Sequence, residues 1–309
     1  MTSVVKKPER ELFVTEIVSR TFTLYAARFI PFYIIFLMAT LISNALGEVI
    51  RSYFAIPPIP SATAPVEEIL EWFSAFIVAF ILLALLTFII GWIITTLANG
   101  LAVKYTSDVL EKGDASLERG FSFVASKLPS LLVAGIISAV LIGIGLVALV
   151  IPGIIIAIMF SLLVQVIIIE DVGAFESFGR SRKLVSGRWL KTFGLFLALV
   201  IIIFVIGLIG NAIGLLFGPA SWVVSSLVSA FVQPILPIAF TLFYYSMTVK
   251  EAAFERPWPS PPPPPAPPSA APPTPTPAEG IKFCPNCGGK ISPETVFCPH
   301  CGKKIETTS

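Results

Sequence analysis

The sequence predicts an all-α polytopic membrane protein: six transmembrane helices with amphipathic interfacial helices, plus a small C-terminal zinc ribbon. Three observations carry this reading. Of 309 residues, 55% are hydrophobic and only 13% charged, against roughly 45–50% and 25% in soluble domains. The apolar residues form runs long enough to cross about 30 Å of hydrocarbon, which takes about 20 residues of helix. Two Cys-x-x-Cys pairs stand near the carboxyl end. A net charge of +2 gives no reason to expect a nucleic acid partner, and a single His restricts side-chain chemistry.

Residues 1–29 read as a cytoplasmic N-terminus and an amphipathic helix. The first apolar run is preceded by a charged, periodic segment instead of a leader with a cleavage site, so the amino terminus is expected to be retained. Val14, Val18, Phe22, Tyr25 and Phe29 recur at spacings of three and four, the stripe of a helix lying along a membrane surface.

Residues 30–250 form the six-span membrane domain, with spans near 30–50, 69–99, 129–151, 153–169, 190–216 and 221–249. Trp72 and Trp92 are separated by about 30 Å of helix, matching two interfacial belts, so 93–103 is expected to run on past the interface. The third and fourth spans are divided only by Ile151-Pro152-Gly153, where Pro blocks helix continuation and Gly allows reversal. A tight helical hairpin follows from that.

A weak internal repeat accompanies this layout. Glu16, Arg20, Leu24 and Arg28 align at an offset of 160 with Glu176, Arg180, Leu184 and Arg188, and each copy precedes a membrane hairpin. Residues 115–128 resemble a degenerate third copy, which would give three units of surface helix plus two spans.

Polar candidates inside the spans are Asn44, Asn99, Gln165, Asn211 and Gln233. No ionisable residue falls near an expected bilayer centre, which argues against a proton relay or ion-coupled carrier. Gln233-Pro234 with Pro237 should break the last span, either as part of a substrate cavity or to pack a kinked helix. Gly210, Gly214 and Gly218 fit close helix contact within the bundle or between copies. In the fourth connection, Arg180, Arg182, Lys183 and Arg188 alternate with Phe175, Phe178, Leu184 and Trp189. That pattern suits anionic lipid headgroups, or reflects only the excess of positive charge on the cytoplasmic side.

Residues 251–280 are a proline-rich linker, with 13 prolines in 257–277. Such a segment is expected to be extended, roughly 65 Å if straight, and to act as a spacer or as a proline-rich ligand.

Residues 281–309 form the ribbon. FCPNCGGKI (283–291) and FCPHCGKKI (297–305) are identical at seven of nine positions. Two thiolates three positions apart hold one metal when the chain turns tightly between them, and the Gly after the second Cys permits the turn. Cys284, Cys287, Cys298 and Cys301 therefore form a candidate closed, structural, tetrahedral site for one Zn²⁺, with iron or two disulfides as alternatives. His300 reads as exposed, not as a ligand. Phe283, Ile291, Phe297 and Ile305 are expected to form the small apolar patch of a ribbon that needs metal to fold.

These knuckles resemble the short zinc ribbons at the ends of many prokaryotic proteins, a resemblance specific for metal binding. The run PGIIIAIMFSLLVQVIIIEDVGAFESFGRSRKLVSGRWLKTFGLF, together with the later TLFYYSMTVKEA (241–252), resembles the membrane domain associated with glycerophosphoryl diester phosphodiesterases. Ser246 and Thr248 stand where that pattern usually has an acid and a base. The resemblance does not bring the phosphodiesterase activity, which belongs to a separate barrel domain with acidic and His ligands.

Taken together, the expected function is a non-enzymatic scaffold or anchor in the cell membrane, in contact with membrane lipids, presenting a cytosolic zinc ribbon to a protein partner. The alternative is a transporter or channel for lipid-like or small solutes. A lipid-modifying enzyme would need a cluster of polar side chains at one interface, which the sequence does not display. With both ends cytoplasmic, 20 of the 21 Lys and Arg residues are inside and only Arg51 is outside, as positive-inside bias requires. Reporters at residue 1, near residue 115 and at the carboxyl end should therefore read cytoplasm, and one near residue 62 the exterior. An exterior signal from the carboxyl-terminal fusion would overturn this topology.

Overall fold

A computed structural model describes residues 5–53, 60–61, 63–217, 221–254, 282–292 and 294–305. The chain divides into two units, Met1–Glu255 and Arg256–Ser309. The sequence-read proline segment 257–277 lies outside the described residues.

The first unit is helical. A surface helix α1 (Val14–Ala27) leads into α2 (Phe29–Tyr53), followed by α3 (Val66–Lys112) and α4 (Leu117–Ala148). Then come α5 (Val150–Met159), α6 (Leu163–Ile169), α7 (Ala174–Val185), α8 (Trp189–Leu215), α9 (Ser221–Val232) and α10 (Ile235–Phe254). Six helical stretches are long and apolar enough to cross a membrane: Phe29–Tyr53, Val66–Lys112, Leu117–Ala148, Val150–Ile169, Trp189–Gly214 and Val223–Val249.

The centre of this unit is α10. Every residue from Pro237 to Met247 is buried, and a helix apolar on its whole circumference needs neighbours all round. α1, α3, α6 and α7 supply them. α3 behaves differently along its length: Ala98 to Leu110 contributes most of the buried face, whereas no residue of the most apolar window is buried. In a bilayer that part is covered by lipid tails, which are as apolar as a protein core.

The 160-residue repeat is reproduced to the residue. α1 and α7 begin at Val14 and Ala174, and α2 and α8 at Phe29 and Trp189. Arg28 and Arg188, the equivalent breaks, share similar backbone angles (φ −126°, ψ 38° and φ −138°, ψ 21°). Residues 117–128 do not form a third separate helix: α4 runs without interruption through Pro129. At the membrane boundary a continuous helix satisfies the remaining backbone groups within the segment.

The surface stripe expected on α1 is displaced. Ile17, Thr21, Leu24 and Tyr25 are its buried residues, while Phe22 is exposed. Thr21 enters the core because its hydroxyl donates to the Ile17 carbonyl at 2.7 Å, leaving a methyl group to pack. Instead of lying free, α1 packs against α10.

The hairpin turn also differs from expectation. Leu149, with an extended backbone (φ −162°, ψ 142°), makes the reversal, and Pro152 falls in the first turn of α5. That position has no intrahelical partner for an N–H, so Pro costs nothing there. The glycines act in packing: a Cβ on Gly145 would sit 2.9 Å from Gly153 Cα, and one on Gly153 would sit 2.5 Å from Leu146 Cγ.

Two spans are discontinuous. α9 and α10 part at Gln233-Pro234, as the sequence indicates, and Tyr25 Oη donates to the Phe231 carbonyl at 2.9 Å. The break at 160–162 has no Pro or Gly. Ser161 Oγ instead donates to the Ile158 carbonyl (2.8 Å) and Ser181 Oγ to that of Met159 (2.7 Å). Those hydroxyls meet carbonyls that hydrocarbon would leave unsatisfied.

The close approach of α4 and α5 predicts that Gly145→Val destabilises the membrane unit by about 1–3 kcal/mol. Gly143→Val, whose Cβ would meet nothing within 4 Å, should leave thermal unfolding in detergent close to wild type. Equal midpoints for the two variants would contradict the hairpin packing.

Candidate metal centre and interfacial polar belt

The second unit holds the metal centre. β1 (Lys282–Phe283) pairs antiparallel with β2 (Lys290–Ile291), and an isolated bridge joins Phe297 to Lys304. Each half of the repeat closes in the same way. The Cys284 amide donates to the Gly289 carbonyl and Gly288 returns a bond to Cys284, at 2.9 Å each. Cys298 with Lys303, and Gly302 with Cys298, repeat this at 2.9 and 2.8 Å. Gly288 and Gly302 have φ of 69° and 71°, a left-handed conformation that a side chain would strain.

The four Sγ atoms lie within 4.8 Å of one another. Cys284–Cys301 and Cys287–Cys298 are 3.8 and 3.7 Å apart, and all four cysteines are free. A tetrahedral Zn²⁺ with Zn–S bonds of about 2.3 Å requires sulfurs about 3.8 Å apart. The donor set thus fits one zinc ion. Amides of Asn286 and Cys287 hold the Cys284 thiol below its ordinary range, and the Lys303 amide brings Cys301 down to about 7. Cys287 receives the Gly289 amide, yet crowding by the other sulfurs pushes it up to about 12. Four thiols this close ionise together only around a cation.

His300 is exposed and lies outside the cluster, as the sequence indicates. The apolar patch differs from expectation: Ile291 is buried and Ile305 packs against it, but Phe283 and Phe297 are 59% and 58% exposed. Each Phe directly precedes an inward-facing Cys, and adjacent side chains of an extended strand point to opposite faces.

In the first unit the structure assembles a polar belt that sequence reading missed. Glu170 accepts from Arg180 Nε at 2.7 and 2.9 Å and from Tyr244 Oη at 2.7 Å. Tyr245 Oη donates to Glu111 at 2.9 Å and lies 2.7 Å from Ser107 Oγ. Lys7 pairs with Glu111 at 3.2 Å and stands 4.6 Å above the Tyr245 ring. Asp108 binds Lys104 and Lys112, and Lys191 meets Glu11 at 2.6 Å. Ser246 Oγ accepts the Leu12 amide at 2.7 Å. The members come from six separate segments, so no local motif announces them. The one usable signal was Tyr244-Tyr245-Ser246: three consecutive hydroxyls within a largely apolar stretch.

Other predicted residues fall into place around this belt. Arg180 turns inward to Glu170, whereas Arg182, Phe175 and Trp189 remain exposed. Phe178 stacks edge-on against Phe160 with centroids 4.8 Å apart. Asn44 Nδ2 donates to Ser226 Oγ at 2.8 Å. Gln165 Oε1 is buried and has no hydrogen-bond partner among the described residues. Gln233 lines a cavity of about 220 Å³ with Ser225 and Ser229.

Two family models match. A domain of unknown function, DUF7847, covers residues 13–254, and a zinc-ribbon domain covers residues 283–305. No curated protein and no solved structure matches the chain. The membrane part matches DUF7847, and no link to glycerophosphoryl diester phosphodiesterases is shown.

The geometry predicts one zinc per full-length chain by metal analysis, falling towards zero for Cys298→Ser and staying at one for His300→Ala. Loss of zinc from the His300 variant would refute the four-cysteine site.

Proposed function

We propose, for a chain that belongs to the DUF7847 family over residues 13–254, a non-enzymatic role as a membrane scaffold or anchor that presents its zinc ribbon to a protein partner in the cytosol. The observation that carries this reading is the closure of the metal site. All four ligand positions of a tetrahedral zinc are taken by cysteines, so the ribbon offers its surface and not an open coordination position. Lys290, Lys303 and Lys304 favour an acidic partner surface. A tether to the membrane raises the local concentration of whatever binds. The skewed distribution of basic residues supports the cytosolic side for both termini.

A carrier for lipid-like or small solutes is the second reading, and two features favour it. The fourth and sixth spans are both discontinuous, and a cavity lined by Ser225, Ser229 and Gln233 adjoins the second break. Broken helices near the bilayer midplane are where transporters place their sites.

Deleting 281–309 should abolish partner recovery while leaving membrane insertion intact, and replacing the proline segment by a flexible linker of equal reach should preserve recovery. Identical co-purifying proteins with and without the ribbon would reject the scaffold and favour the carrier.

A further inference from the structure

A cavity of about 320 Å³ lies between α5, α8 and α10. Its walls are apolar: Ile158 on α5, Phe196 and Val200 on α8, and Phe240 on α10, with Ser161 and Thr192 the polar members. Both hydroxyls already donate to backbone carbonyls, Ser161 to Ile158 and Thr192 to Arg188, so they offer water little. Apolar space of this kind stays dry or takes up hydrocarbon. All three walls are membrane-spanning helices, so the hydrocarbon at hand is a lipid tail.

One end of the cavity leads to a cation. Thr192, Phe196 and Val200 line the cavity from α8, and Arg188 is the N-cap residue four positions before Thr192. On α10, Met247 stands two turns above Phe240 on the same face, and Arg188 Nη1 meets its Sδ at 3.0 Å. The guanidinium thus stands between the start of α8 and α10, beyond the Thr192 end of the cavity. It is poorly satisfied there. Its side chain is only 20% exposed, and among the described residues its carboxylate partner is Glu11, which is 3.8 Å away and holds Lys191 at 2.6 Å. A thioether is a weak acceptor, and a guanidinium has five N–H groups to satisfy. Beside it, Trp189 is 51% exposed at the start of the span, where indole rings mark the membrane interface.

We infer that this cavity and Arg188 form a seat for one glycerophospholipid, its phosphodiester on the guanidinium and one acyl chain between α5, α8 and α10. Guanidinium and phosphate pair through charge-assisted, often bidentate bonds. The inference is independent of the scaffold reading, because it concerns the membrane unit and needs no ribbon.

The test uses full-length protein, stripped of lipid in detergent, with native mass spectrometry and thermal unfolding as readouts. Phosphatidylglycerol, a diacylglycerol and inorganic phosphate are added separately. The expected result is one tightly retained phosphatidylglycerol that raises the unfolding midpoint, with the diacylglycerol and inorganic phosphate each bound at least about tenfold more weakly. Arg188→Gln should lose about tenfold in affinity, and Ala157→Phe, which fills the cavity from a site outside the ionic belt, should lose the retained lipid while remaining folded. Equal retention by wild type and Ala157→Phe would overturn the proposal. So would inorganic phosphate binding as tightly as the lipid, which would mark a simple anion site.

Discussion

A helix buried on its whole circumference must be enclosed on every side, and in this protein that helix is α10. The hydrocarbon of a bilayer would accept its apolar side chains, but it would not accept the phenol oxygens of Tyr244 and Tyr245. Those two groups need acceptors, and the acceptors come from elsewhere: Glu170 at the end of α6 and Glu111 near the end of α3. Enclosing α10 therefore obliges α3 to continue well past its lipid-exposed part. It also fixes α1 and α7, the two copies of the internal repeat, against the same post.

Charge follows from that arrangement. A carboxylate drawn into a partly buried position costs several kcal/mol unless it is paired and hydrogen-bonded, and Glu170 receives both an arginine and a phenol. Replacing such a cluster with apolar side chains of similar volume is often neutral for stability, whereas removing a single partner is expensive. The belt is thus better understood as fixing which helices meet than as a source of net stability. It places six segments in one register at the end of the bundle where the repeat arginines break the chain.

Much of this was legible in the sequence. Span number, the discontinuity at Gln233-Pro234 and the four-cysteine centre rest on local signals: hydropathy over 20 residues, an imino acid and a spacing of three. What escaped was non-local. The break at 160–162 contains neither Pro nor Gly and is stabilised by Ser181, 22 residues beyond the Met159 carbonyl it binds. The belt joins Lys7 to Glu111 and Tyr244 to Glu170, pairs that no window contains. Where the reading failed on faces, the cause was a polar atom satisfied within its own helix, as in Thr21, or the alternation that turns Phe283 and Phe297 away from their neighbouring cysteines.

The length of α3 has a mechanical consequence. Forty-seven residues make a rod of about 70 Å, more than twice the hydrocarbon thickness it has to cross. One part has no buried residue, while Ala98 to Leu110 is wedged into the core. A bilayer that thins or thickens changes the tilt preferred by an apolar helix. Because the rod has no interruption between Val66 and Lys112, that torque is delivered undamped to Ser107, Asp108 and Glu111. The ionic belt is therefore the place where a change in membrane thickness would be felt.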